Sequence, residues 1–218
     1  MGNILNNKKL IIFDFDGLLV NTEEIYLKGW EEAFHYYKIT ISREILLKFY
    51  GKSIENVNQV LLSTGISPEI IKKVRAYREK IINKYLVSSK IRLLPGVIDF
   101  LELVHSNYTL VVCTSSPRKR VDRILGYSNL TKYFNNIITF EDTLYHKPHP
   151  QPYMFILDSY KVKASDVIAF EDSISGIISS QRSGIEVHCV NSLITDEIRN
   201  LLTPFQYHKS FTDVIELL

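Results

Sequence analysis

Asp14 and Asp16 are separated by one residue and follow a short apolar run, Leu10-Ile11-Ile12-Phe13. Two carboxylates so close repel one another unless a cation or a proton lies between them. The pair therefore points to metal binding and acid–base chemistry. Asp and Gly also favour turns, so Asp14-Phe15-Asp16-Gly17 alone reads as well as an acidic turn. Other reactive side chains recur at the ends of apolar runs further along. Thr114 and Ser115 follow one ending at Cys113, Glu171 and Asp172 follow one ending at Phe170, and Lys147 opens the loop Lys147-Pro148-His149-Pro150. A hydroxyl, an ammonium and up to four carboxylates at one crevice suit phosphoryl transfer. Asp14 can attack phosphorus and form an aspartyl phosphate. A phosphate dianion repels an attacking carboxylate, and Mg²⁺ held by acids, with a nearby lysine, lowers that barrier. Mg²⁺ keeps waters and substrate phosphate in its shell, so few protein carboxylates suffice. Asp16 can protonate the leaving oxygen and then deprotonate the attacking water.

The elements that must bring these residues together are legible in the pattern of apolar runs. Four consecutive apolar residues bounded by charge, as at 10–13, predict a strand buried on both faces. Further strands are predicted at 108–113, 137–139, 167–170 and 185–190, with helices at 97–104, 118–125, 151–159 and from Asp172 to Ser183, where Gly184 stops the last. Strands alternating with helices imply right-handed crossovers and a parallel sheet. Ligands of such sheets bind outside the carboxyl ends of the strands, where all these polar residues fall. The first strand finds no partner until about residue 108. The intervening stretch reads as helical, with Tyr26, Trp30, Ala33 and Tyr37 at three- and four-residue spacing. Thr22, Glu23 and Glu24 suit its start. The expected architecture is α/β: a Rossmann-like parallel-sheet core (1–20 and 91–218) with helices on both faces, and an inserted all-helical domain (21–90).

A length of 218 residues suits one core domain with one insertion. A net charge of +2 gives no reason to expect nucleic acid or an anionic membrane as partner. No apolar run approaches the ~20 residues that cross a bilayer, and the N-terminal segment shows no secretory h-region. Cys113 and Cys189 lie inside apolar runs and read as buried thiols of a reducing compartment. His146 and His149 flank Lys147 without the spacing of a transition-metal site. Lys72, Lys73, Arg75, Arg78 and Lys80 read by default as a solvated helix face.

On these motifs the chain resembles the haloacid dehalogenase superfamily, close to its β-phosphoglucomutase-like branch. Asp14-Phe15-Asp16-Gly17, Thr114, Lys147 and Phe170-Glu171-Asp172-Ser173 with Gly176 match that family's four motifs in order. The resemblance implies a phosphatase with Asp14 as nucleophile and metal ligand. Asp16 is then the general acid–base, with its backbone carbonyl on the metal. Thr114 and Ser115 bind the phosphoryl group, Lys147 bridges nucleophile and phosphate, and Asp172 with Glu171 completes the Mg²⁺ site. The helical insertion resembles the family's cap. An acid at Asp16 argues for phosphate esters over carbon–halogen bonds. The implied protein is a cytoplasmic monomer acting on a small phosphorylated metabolite.

Phosphatase and phosphomutase are the two readings within that branch. Its mutases carry a histidine where this chain has Tyr26, and an arginine where Ile54 follows Gly51-Lys52-Ser53. Losing that arginine removes a bidentate clamp for a second phosphate, although Lys52 offers a partial substitute. Tyr26 and the Gly-Lys pair resemble the family's small-metabolite phosphatases, including pseudouridine-5′-phosphatase-like members. Asn21 stands where an aspartate is usual. A signalling receiver also uses strand-end acids, a hydroxyl and a lysine, but the insertion and Asp16 disfavour it; a binding protein without turnover is a further alternative.

Overall fold

A computed structural model describes residues 3–49, 54–87, 91–191 and 206–218. The chain divides into two compact units, Met1–Val20 with Arg92–Leu218, and Asn21–Ile91.

The first unit is built on six parallel strands: β1 (Leu10–Phe13), β2 (Thr109–Cys113), β3 (Asn136–Ile138), β4 (Val167–Glu171), β5 (Glu186–Val190) and β6 (Gln206–His208). Their spatial order is β3-β2-β1-β4-β5-β6, so the first strand in the chain is central. Every residue of β1 and β4 is buried, which is why their sequences are continuous apolar runs. The register aligns Phe13 with Val112 on one side and with Phe170 on the other. β2 and β4 each run one residue beyond this row, so the register continues to Asp14 with Cys113 and Glu171 on either side, and Thr114 follows one position further on.

The second unit is helical: α1 (Glu23–Tyr36), α2 (Arg43–Leu47), α3 (Ile54–Ser63) and α4 (Pro68–Val87). Ser42 caps α2 by accepting from the Ile45 amide. Trp30, Ala33 and Phe34 of α1 and Ile71, Val74 and Ile81 of α4 supply much of its core. Trp30 stacks on Phe34 at 5.6 Å and meets Phe49 edge-on at 5.3 Å. Gly29 lets α1 and α4 approach: a Cβ there would lie 3.0 Å from Ile82 Cγ1 and 3.3 Å from Arg78 Cγ. Two expectations change here. Tyr37 is not on the buried face but follows the end of α1, exposed, with its ring against Tyr77; Phe34 takes the buried position. The basic stretch is not uniformly solvated either. Arg78 is buried, its guanidinium 5.1 Å from the Tyr26 ring and 4.8 Å from the Trp30 ring, and paired with Glu79 at 2.7 Å. Gly51, Lys52 and Ser53 lie outside the described residues.

The sheet is covered on both faces by α5 (Val97–Val104), α6 (Arg118–Tyr127), α7 (Gln151–Tyr160), α8 (Ile174–Arg182) and α9 (Phe211–Ile215). Period-two alternation along the strands separates two cores. Ile12, Val111, Cys113, Ala169 and Val187 pack with Tyr153 and Ile156 of α7 and Ile177 of α8. Phe13 and Phe170, 5.7 Å apart, belong instead to an aromatic cluster with Phe100 of α5 and Phe211 of α9, which are 4.9 Å apart. A polar network edges that cluster. Lys8 pairs with Glu186 at 2.7 Å, Glu186 meets His188 at 3.0 Å, and His188 meets His208 at 2.9 Å. The segment holding β6 and α9 carries no sequence signal strong enough to predict either. Among the described residues no helix is long and apolar enough to cross a membrane.

Candidate active site

The Asp14 amide donates to the Phe170 carbonyl at 3.0 Å, and the Thr114 amide to the Ile138 carbonyl at 2.9 Å. The parallel ladder therefore runs past the last strand residue and holds the reactive positions as rigidly as the strands themselves. Extending the register places Asp14 between Cys113 and Glu171. Into this row comes Lys147, whose Nζ donates to Asp14 Oδ1 at 2.6 Å, to Glu171 Oε1 at 2.5 Å and to the Cys113 carbonyl at 2.8 Å. Glu171 Oε1 also accepts from the buried Tyr153 hydroxyl at 2.5 Å, and its Oε2 from Ser173 Oγ at 3.3 Å. Ser173 caps α8 by accepting from the Gly176 amide. Gly176 is required by proximity: a Cβ there would lie 2.0 Å from the Glu171 carboxylate carbon.

Asp172 joins from the next position. Oxygens of Asp14, Glu171 and Asp172 all lie within 4.8 Å of one another. Gly17 makes room for Asp172, since a Cβ there would meet its Oδ2 at 2.1 Å; Gly17 also has φ +80°, which favours glycine. Asn191, just past β5, donates its Nδ2 to the Asp172 carbonyl at 2.9 Å. Asp16 lies on the β2 side of this group. Ser116 Oγ donates to its Oδ2 at 2.6 Å, and Thr114 Oγ1 lies 3.5 Å from the same oxygen.

The electrostatics follow from burial and charge. Burial pushes the Asp14 carboxyl up to about 8; Lys147 opposes this, while Glu171 and Asp16 add to it. Burial would lower Lys147, but the Asp14 and Glu171 carboxylates outweigh it and hold the ammonium well above its usual range. The firm direction is a permanent Lys147 cation with Asp14 as the acid that absorbs the surplus negative charge. Burial, and then the Glu171 charge, keep Tyr153 a neutral donor, and burial raises the Cys113 thiol to about 12, which leaves it inert.

Three buried carboxylates against one ammonium leave a local surplus of negative charge. The donors are all oxygen, the set preferred by hard divalent cations. The cluster thus fits a divalent metal, with Asp14 and Asp172 as the more accessible ligands, because Glu171 Oε1 already accepts from Lys147 and Tyr153.

Asp14, Asp16, Thr114, Lys147, Glu171 and Asp172 therefore meet as the sequence leads one to expect. Ser115 does not join them through its side chain, because it is exposed, while the adjacent Ser116 is buried against Asp16. Tyr153, Ser116 and Asn191 are contributors the sequence reading missed. His146 stacks on Phe140, His149 accepts from the Gln151 amide, and neither joins an acidic cluster among the described residues.

This fold and site are those of a hydrolase class. Residues 11–190 match the model of the haloacid dehalogenase-like hydrolases, and the chain belongs to that family. A phosphorylated carbohydrates phosphatase of Thermotoga maritima is 30% identical over 190 residues, covering 83% of this chain and 86% of the relative. The pyrophosphatase PpaX of Oceanobacillus iheyensis is 25% identical over 211 residues, covering 96% and 95%. The crystal structure of a predicted phosphoglycolate phosphatase from Haemophilus somnus superposes with a TM-score of 0.82, at 22% identity, covering 97% of this chain and 98% of that one. That likeness concerns the fold.

Proposed function

We propose that this hydrolase cleaves small phosphate monoesters, with Mg²⁺, through a phosphorylated Asp14. The observation that carries the reading is the Asp14 carboxylate at the end of the central strand, 2.6 Å from a buried Lys147 and clustered with Glu171 and Asp172. A carboxylate so placed attacks phosphorus while Lys147 neutralises the approach of two anions. Mg²⁺, held by Asp14, Asp172, the Asp16 carbonyl and Glu171, would stabilise the charge on the transferring phosphoryl group. Thr114, with the Ser115 position beside it, binds that group. Asp16 gives a proton to the leaving alcohol and takes one from the water that releases phosphate, each step worth ~10²–10⁴-fold. Residues 21–90 act as the cap that selects the substrate, and the single chain is the working unit.

Phosphatase is preferred to phosphomutase because Tyr26 is a phenol next to the Arg78 guanidinium and not an imidazole. The test is phosphate release from sugar phosphates, nucleotides, glycerol phosphates and pyrophosphate, with and without Mg²⁺. Pyrophosphate is included because one relative is named for it. The expected result is Mg²⁺-dependent release from monoesters that Asp14→Asn abolishes; full activity in that variant overturns the mechanism. Conversion of β-glucose 1-phosphate to glucose 6-phosphate would instead establish the mutase.

A further inference from the structure

We infer that Ser116 is a positioning residue for Asp16: its hydroxyl occupies Asp16 Oδ2, so that the proton Asp16 delivers is carried on Oδ1. This rests on the phosphatase reading above and adds to it a group just beyond the Thr114-Ser115 pair. Ser116 is buried, and its backbone is held at both ends. Its amide donates to Thr114 Oγ1 at 3.0 Å and its carbonyl accepts from the Phe140 amide at 3.2 Å. Its Oγ then lies 2.6 Å from Asp16 Oδ2, a short hydroxyl–carboxylate contact.

A serine hydroxyl has one proton to donate. Spent on Oδ2, it leaves that oxygen a committed acceptor and disfavours a second proton there. An acid proton on Asp16 then resides on Oδ1. In the first half-reaction an Asp14 carboxylate oxygen bonds to phosphorus as the P–O bond to the leaving group breaks, and the electron pair of the broken bond goes to the alcohol oxygen. The Oδ1–H bond breaks as the new alcohol O–H bond forms, and Asp16 is left as carboxylate. In the second half, the water oxygen bonds to phosphorus, the bond from Asp14 to phosphorus breaks and restores the Asp14 carboxylate, and the proton lost by the water returns to Asp16 Oδ1. Fixing one oxygen removes the rotation that would otherwise exchange the two and misplace the proton, a question of orientation more than of binding.

The prediction is a dependence on leaving group. Only a poor leaving group, such as an alkoxide, needs the acid; p-nitrophenolate leaves with little help. The measurement is kcat/KM, which reports the first half-reaction, for p-nitrophenyl phosphate and for the fastest alkyl ester of the panel above. Ser116→Ala should lower the alkyl value on the order of 10-fold or more beyond any loss with the aryl ester, with the full ~10²–10⁴ that general acid catalysis supplies as the ceiling. Ser116→Thr, which keeps the hydroxyl, should restore most of it. In an Asp16→Asn background, Ser116→Ala should add no further leaving-group dependence, because the two act as one unit. Equal losses for both esters, or an undiminished effect in the Asp16→Asn background, would show Ser116 to be a structural or phosphate-binding residue and overturn the inference. If the wild-type chain releases phosphate from neither ester, the phosphatase reading falls and the inference with it.

Discussion

Two polar networks, one buried and one reaching the surface at Glu186, lie on one parallel sheet and are built on opposite terms. The Asp14–Lys147–Glu171–Asp172 group gathers at the strand ends with more negative than positive charge. The Lys8–Glu186–His188–His208 chain runs along β5 and β6 and balances one cation against one anion, ending in two neutral imidazoles. Burial acts on both. At the first it raises Asp14 to about 8, and at the second, with the repulsion that a protonated His188 would add, it lowers His208 to about 4. The difference separates a group kept under electrostatic stress from a group that has escaped it by staying uncharged.

The sharpest way to break the comparison is Asp14→Asn. Removing the proposed nucleophile should lower turnover by ~10⁴-fold or more. The same change should raise the melting temperature of the metal-free protein, because it removes the charge that burial opposes. Calorimetry with chelator checks this, and a lower melting temperature would mean the cluster is not under stress.

Next is Gly176→Ala. The new Cβ would fall on the Glu171 carboxylate at 2.0 Å, which must shift and carry Lys147 with it. Overpacking of this kind costs about 1–3 kcal/mol, and each kcal/mol moves a domain of this size by roughly 2–4 °C. A thermal melt that is unchanged would show that the carboxylate has room to spare. The same substitution at Gly65, where nothing lies within 4 Å of the built Cβ, meets no clash and pays only for its φ of +83°.

Adding Mg²⁺ should stabilise the strand-end network alone. At a hundred times its dissociation constant, a ligand of the native state contributes about 2.7 kcal/mol. The rise in melting temperature should vanish in Asp172→Asn and persist in His208→Phe.

The smallest effect concerns pH, and the two networks have opposite signs. Asp14 has its folded value, about 8, above its ordinary 3.8. The native state therefore holds the proton longer, and stability falls as pH rises between those values. His208 has its folded value, about 4, below its ordinary 6.5. Here the unfolded chain binds the proton first, so stability falls as pH drops from 6.5 toward 4, by about 2 kcal/mol after allowance for partial solvent screening. His208→Phe should flatten the acid side of the profile and Asp14→Asn the neutral side; denaturant titrations across pH 4 to 8 separate them.

What could be read in the sequence follows the same division. Strands buried on both faces are continuous apolar runs, so β1, β2 and β4 announce themselves, and the polar residues that end them mark the site; β5, Glu186–Val190, is interrupted by Glu186 and His188 and shows less plainly. β6 does not announce itself, because Gln206-Tyr207-His208 has no such run and, among the described residues, pairs with β5 alone. Ser116 was hidden by its neighbours: in Thr114-Ser115-Ser116 nothing in composition says which hydroxyl turns inward, and the ladder decides. Tyr153 sits in an apolar helix face where a tyrosine reads as packing, and its contact with Glu171 arises only from the crossover of α7 beneath β4. Tyr37 failed for a local reason, since α1 stops at Tyr36 and the three-to-four spacing no longer applies beyond it.

The position of β1 has a consequence for how the molecule comes into being. The strand that carries Asp14 occupies residues 10–13, yet its neighbours begin at residues 109 and 167. During synthesis it is therefore made early and completed late, with loops of roughly a hundred residues and more to close before it is flanked, an ordering that slows folding. The reactive carboxylate, its lysine and its companion acids do not exist as a group until β4 has docked.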